Sequence, residues 1–137
     1  MPSDQIVNLS LDPDSATVAS AIKEGLRAYN RATRPDPDAA PVILAVTADD
    51  GHTIAGLVGH TGWGWLEIEI LWVDELLRGQ GFGRRLMDDA ERIARERGCT
   101  GMHLDTPGLQ TPGFYKMLGF ETFGVLENYP DVFFRKF

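Results

Sequence analysis

A chain of 137 residues, 43% hydrophobic and 24% charged, has room for one sizeable core and not for two ordinary domains, so residues 1 to 137 read as a single domain. A formal net charge of −7 argues against broad binding to nucleic acid or to an anionic membrane, since both require basic surface. No apolar run approaches the roughly 18 residues of a membrane helix and nothing at the N-terminus reads as an export signal, while a lone cysteine, Cys99, excludes an internal disulfide framework; together these features place the chain in the cytoplasm.

In chain order, Gln5 to Ser10 reads as a short strand. The segment after it supplies Asp and Ser residues as N-caps for a helix that ends near Asn30. Arg31 to Pro41, with three prolines and alternating charges, is expected to be a loop and a candidate rim for a substrate. Two β-rich runs, Val42 to Thr47 and Thr53 to His60, flank Asp50-Gly51, a hairpin signal. A third run extends from about Trp65 to Val73. From Gly83 onward, Leu86, Met87, Ala90, Ile93 and Ala94 recur on one helical face, and Gly98 ends that helix. Cys99 to Thr106 is a short strand and Leu109 to Gly119 a short helix, with Phe120 to Leu126 and Asp131 to Phe137 as closing strands. The order β-α-β-β-β-α-β-α-β-β predicts an α/β fold, a mixed sheet with helices on its faces.

Between the third run and the long helix stand three glycines at alternate positions, Gly79, Gly81 and Gly83. A strand passing through such a turn into a helix makes an anion site. Backbone N–H groups point outward there, the helix dipole adds positive charge, and missing Cβ atoms let phosphate oxygens approach. The chemistry implied is diphosphate binding. Two common nucleotide motifs fail: Arg84 and Arg85 stand where a phosphate loop needs Lys and Ser or Thr, and the even spacing of the glycines is not that of a dinucleotide fingerprint.

What fits is R-x-x-G-x-G, Arg78 to Gly83, after the strand "EILWV" and before "LDT" (Leu104 to Thr106) and "FYKMLGF" (Phe114 to Phe120). With these elements the chain resembles the GCN5-related N-acetyltransferase (GNAT) superfamily from the first helix to the C-terminus. The resemblance implies a mostly antiparallel mixed sheet whose fourth and fifth strands, counted from Gln5 to Ser10, splay apart to admit acetyl-CoA. It further implies that the backbone of Leu71, Trp72 and Val73 holds the pantetheine arm. The turn from Arg78 through Gly79, Gln80, Gly81, Phe82 and Gly83 to Arg84 would take the pyrophosphate, with Arg85 nearby. Tyr115 is implied as the general acid that protonates the leaving thiolate, and Asp105 and Thr106 lie beside the cofactor's path.

Strand alternation puts Glu67, Glu69, Leu71 and Val73 on one face and Ile68, Ile70 and Trp72 on the other. An alkylammonium must lose a proton before its nitrogen attacks, so Glu67 or Glu69 is the expected base. The reaction implied is direct attack of a primary amine on acetyl-CoA in a ternary complex, with a small-molecule acceptor. Acylation of a peptide or protein, and a non-catalytic acyl-CoA sensor, stay open as alternatives. His52, His60 and His103 have no metal-ligand spacing, so no metal is expected. The closing "FFRKF" is expected to offer an edge strand to a second copy, as in a homodimer.

Overall fold

The computed structural model describes residues 7–11, 15–36, 38–107, 112–128 and 131–137. The chain divides into two compact units, Met1–Asp36 and Pro37–Phe137. In the first, helix α1 (Ala16–Thr33) is capped by Ser15, whose hydroxyl accepts from the Val18 N–H at 3.2 Å. The helix runs past the expected end at Asn30 because Arg31 and Thr33 are tied back into it, through Glu24 at 2.7 Å and the Tyr29 carbonyl at 2.7 Å. Val18, Ile22, Leu26 and Tyr29 form one apolar stripe along it. The strand expected at Gln5 to Ser10 is not formed over Val7 to Ser10; alternation without a hydrogen-bonding neighbour does not make a strand. Gln5 and Ile6 lie outside the described residues.

The second unit is a six-stranded sheet: β1 (Ala40–Thr47), β2 (Thr53–Gly62), β3 (Trp65–Val73), β4 (Gly101–Pro107), β5 (Glu121–Val125) and β6 (Asp131–Lys136), in the spatial order β1-β2-β3-β4-β6-β5. Among the described residues only β3 and β4 pair in parallel, and the other four pairings are antiparallel. The crossover between β3 and β4 is made by α2 (Phe82–Glu96), and α3 (Pro112–Met117) lies between β4 and β5.

Two sequence expectations are corrected here. The β2–β3 hairpin runs two residues further than His60, pairing Gly62 with Trp65 around Trp63 and Gly64. Both loop residues have positive φ, 55° and 82°, as a tight two-residue turn demands. The closing strand is not an edge: β6 is inserted between β4 and β5 and spends both sides of its backbone inside the sheet. It offers no free ladder to a second copy.

One face of the sheet carries the core. Leu57, Leu66, Ile68, Met102, Leu104 and Phe134 meet Leu86, Met87, Ala90 and Ala94 of α2, the face that the 3.6-residue periodicity marks. Phe134 is fully buried, and withdrawing a side chain of that size from water contributes about 2–3 kcal/mol. Glu91 of α2 pairs with Lys136 of β6 and with Arg95, joining the helix to the last strand.

Candidate active site

The site begins where a strand pairing stops. β3 and β4 are in register for Trp65–Gly101, Leu66–Met102 and Glu67–His103 only, after which β4 pairs with β6 alone. The separation opens a cleft of about 240 Å³ walled by Ile68 to Leu71 on one side and Leu104 to Thr106 on the other, with Tyr115 of α3 against it. Backbone groups of β3 that a continuing β4 would have used are left facing this space.

A β-bulge sits at the same place. Val58 pairs with Ile70 but Gly59 pairs with Ile68, so Glu69 is an extra residue in β3. A Cβ at Gly59 would run into the carbonyl oxygen of Glu67, and a glycine therefore lets the two backbones close on each other. The bulge bends β3 and shifts its alternation by one residue. Leu66 and Ile68 are buried before it, and Leu71 and Val73 pack on the same core after it, while Ile70 and Trp72 are 56% and 44% exposed. The expectation that Glu67, Glu69, Leu71 and Val73 share a face is thus corrected: the two carboxylates lie on the side away from the core, and Leu71 and Val73 lie on the core side.

The two carboxylates also have a partner that sequence reasoning passed over. His60 of β2 stands opposite Glu67 and reaches both acids, with Nδ1 2.8 Å from Glu69 Oε1 and Nε2 3.3 Å from Glu67 Oε2. The signal was present in the hairpin: once Trp63-Gly64 is read as the two-residue turn, residue 60 must face residue 67. Of the two carboxylates, Glu69 lines the cleft and Glu67 does not.

Tyr115 is 7% exposed, its ring set edge-on to Phe114 and Phe120 and tilted against Phe134. Burial raises its phenolic pKa above the ordinary 10.0 because a phenolate loses more hydration than a phenol. The side chain thus stays protonated through neutral pH and beside the cleft. Burial likewise raises the Cys99 thiol, against a smaller opposing pull from Arg97, which favours its protonated, less nucleophilic form.

The glycine turn lies between β3 and α2. Asp74 opens it, accepting from the Leu76 N–H at 3.0 Å. Gly79 and Gly81 have φ of 80° and 85°, and a Cβ on either would meet no atom within 4 Å, so what these glycines supply is left-handed backbone facing open space. Gly81 is the N-cap of α2 and no side chain caps that helix; the amides of its first turn are available to an outside anion. Gly83 differs from the expectation. It is inside α2, and a Cβ there would sit 3.3 Å from Phe114 Cζ, so its bareness seats the Phe114 ring. Arg78 Nε donates to the Val73 carbonyl at 3.2 Å and ties the turn to the end of β3, and Gln80 donates to the Leu76 carbonyl at 3.5 Å. Arg84 is exposed on the first turn of α2. Arg85 and Phe82 line a separate pocket of about 320 Å³ between α2 and β1.

The structure therefore gathers Glu69, Leu71, Asp105, Thr106 and Tyr115 around one cleft. It sets Val73 between that cleft and the glycine turn and leaves Glu67, Trp72 and Arg85 off the cleft wall. An extended chain laid along β3 would run from Tyr115 and Glu69 toward the amides of the turn.

Comparison with known proteins finds relatives over most of the chain. A family model described as the acetyltransferase (GNAT) family matches residues 8–120. An acetyltransferase of Agrobacterium fabrum is 38% identical over 115 residues, 84% of each chain. Blasticidin-S acetyltransferase of Streptomyces morookaense is 38% identical over 122 residues, 86% of this chain and 88% of that one. The crystal structure of an inferred acetyltransferase from Agrobacterium tumefaciens superposes with a TM-score of 0.82 at 33% identity, covering 96% of this chain and 98% of the other.

Proposed function

The chain belongs to the acetyltransferase (GNAT) family and is an acyltransferase, and we propose that it moves an acetyl group from acetyl-CoA to the primary amine of a small molecule by direct attack in a ternary complex. The observation that carries this reading is the splayed cleft between β3 and β4, which has Glu69 and Tyr115 on its walls and a bare glycine turn beyond Val73. Support for a small acceptor comes from the likeness, over nearly the full length of both chains, to blasticidin-S acetyltransferase.

The residues present fit an acyl-CoA. Gly79 and Gly81 face open space and no side chain caps the first turn of α2, which suits a pyrophosphate, with Arg78 and Arg84 close in sequence to balance its charge. Along β3, Leu71, Trp72 and Val73 offer backbone to an extended pantetheine as one strand offers it to another. Bound acetyl-CoA supplies an activated acyl carbon on a leaving thiolate.

The chain's own side chains supply proton handling. Glu69, on the cleft wall, takes a proton from the acceptor ammonium, a task for a carboxylate within hydrogen-bond reach. Tyr115 holds on its phenolic oxygen the proton that a departing thiolate requires, and its raised pKa keeps that proton in place at neutral pH. Orientation along β3 contributes as well, because an oriented encounter replaces a random one.

Isothermal titration with acetyl-CoA tests the donor site, compared with a Gly81→Asp variant that brings a side chain and a negative charge to the turn. Binding by the natural protein and its loss in the variant supports the reading; absence of binding by the natural protein refutes it. Thiol release with blasticidin S, spermidine, an aminoglycoside and a lysine-ended peptide then reads the acceptor. Turnover with the peptide alone supports protein acylation instead, and binding without turnover on any amine supports a sensor.

A further inference from the structure

His60 is absent from the residues the glycine motif and the family resemblance single out, yet it makes the closest contact with Glu69, at 2.8 Å. Its other ring nitrogen faces Glu67 at 3.3 Å, and the three side chains are 44–49% exposed. Both imidazole nitrogens thus face carboxylate oxygens. A ring with one proton donates to only one of them; the second contact needs another proton, carried either by the ring or by the acid. Among the described residues no group of three His, Cys, Asp or Glu side chains is disposed to hold a metal ion. On the far side of β2, β1 brings no charged residue, and Pro41 stands opposite His60; β4 brings His103 opposite Glu67.

Glu69 alone of the three lines the cleft. A carboxylate that has accepted one proton must release it before the next turnover. Ile68, Leu71 and Leu104 make part of the cleft wall apolar and Asp105 and Thr106 make part of it polar, and Glu69 leans on the His60 ring at 2.8 Å with both side chains about half-exposed. We propose that Glu69, His60 and Glu67 form a relay that carries the acceptor's ammonium proton from the cleft to solvent.

The inference rests on the acetyl-transfer reading. The acceptor's N–H bond breaks toward a Glu69 carboxylate oxygen and its electron pair stays on nitrogen. Protonated Glu69 donates from Oε1 to His60 Nδ1 while Nε2–H donates to Glu67, and the proton crosses to Nδ1. The resulting imidazolium passes its Nε2 proton to Glu67, whose half-exposed carboxyl gives it to water; Glu69 is left ionised, and the neutral ring regains Nε2–H by exchange with water before the next turnover. One proton leaves the amine, one reaches solvent, and no electrons change hands. Glu67 is the outlet of the relay, and when ionised it also fixes the ring tautomer, as a partner carboxylate does for other working histidines.

All three side chains are half-exposed, so their replacement leaves the core intact, and circular dichroism checks this. Turnover is measured by thiol release on the full chain with acetyl-CoA and the fastest amine of the panel. His60→Ala is expected to lower kcat by about tenfold or more with acetyl-CoA affinity unchanged, and millimolar imidazole in the buffer is expected to restore part of the loss. Nitrogen-15 spectra of the histidine rings are expected to show His60 carrying its proton on Nε2, and Glu67→Gln to disturb that tautomer. A kcat for His60→Ala within twofold of the natural value overturns the relay, as does a loss that imidazole leaves untouched, or a His60 tautomer indifferent to Glu67. Glu69→Gln separates the two readings. Full turnover in that variant removes the base from the proposed reaction and the relay with it; loss in Glu69→Gln beside full turnover in His60→Ala overturns the relay alone.

Discussion

Tyr115 carries its packing and its proposed proton on one ring, and removing only its oxygen separates them. Tyr115→Phe keeps the contacts with Phe114, Phe120 and Phe134 and is expected to hold acetyl-CoA affinity while kcat falls by about 10–100-fold, the scale of losing a general acid. Thiol-release kinetics beside calorimetric titration check this; unchanged kcat removes the role. The sign of its pH effect follows from the raised pKa. In the unfolded chain the phenol ionises near its ordinary 10.0, and in the fold it ionises later. Above that pH the folded chain therefore binds more protons, and the stability Tyr115 contributes is lost as pH rises through its folded pKa. Urea unfolding at pH about 9 and about 11 should show a fall in stability that is smaller in Tyr115→Phe. Two glycines make a further contrast. At Gly59 a methyl group collides with the Glu67 carbonyl, whereas at Gly81 it meets only an unfavourable φ of 85°. Gly81→Ala should cost about 1–2 kcal/mol and Gly59→Ala about 3 kcal/mol or more, with the bulge lost. Thermal unfolding ranks them, and equal costs would show that the bulge has another way to form.

Elements differ in how far their sequence discloses them. The glycine turn and α2 are local: the three glycines, the 3.6-residue stripe and Gly98 lie within a few turns of one another, so they were legible as a unit. The phase of β3 was not. Its extra residue, Glu69, is defined only against Val58 and Gly59 across the ladder, and no alternation within β3 reveals it. His60 was legible only through the hairpin register, and Gly83 had a phosphate role on paper because Phe114, thirty-one residues on, is what fills its space. Helix α2 and strand β6 are similarly joined from afar by Glu91. Burial raises its pKa, but hydrogen bonds from Lys136 and Arg95 outweigh that and leave it lowered overall. A lowered folded pKa means stability present above the unfolded value and lost as pH falls through the folded one. Glu91→Gln is expected to cost about 1 kcal/mol at neutral pH and progressively less toward acid; a cost independent of pH would mean that packing, not charge, makes the joint.

At the scale of the whole molecule, charge is divided by task. The chain carries a formal net charge of −7, and Glu67, Glu69 and Asp105 gather at or beside the cleft. Arg78, Arg84 and Arg85 cluster at the turn where α2 begins. Such a distribution favours a cationic acceptor approaching the cleft while offering the anionic donor a local positive end, and a protein's field acts on the encounter of charged ligands. Asp105 was legible through the resemblance, but the strand order was not: β6 enters between β4 and β5 and pairs Phe133 with Asp105, a partnership between distant parts of the chain that no local pattern reveals. Salt is the probe, since at about 0.1 M the screening length is about 10 Å. Raising salt from about 50 to about 500 mM should lower kcat/KM for spermidine several-fold, because it weakens long-range attraction between the cation and the acidic chain. A mono-amine of similar size should lose less, because it carries less charge to steer. The KM for acetyl-CoA should rise over the same range through screening of the arginines at the turn, and Arg84→Gln should flatten that rise. Equal salt response for the two amines would mean that acceptor selection rests on contacts inside the cleft and that the net charge plays no part in it.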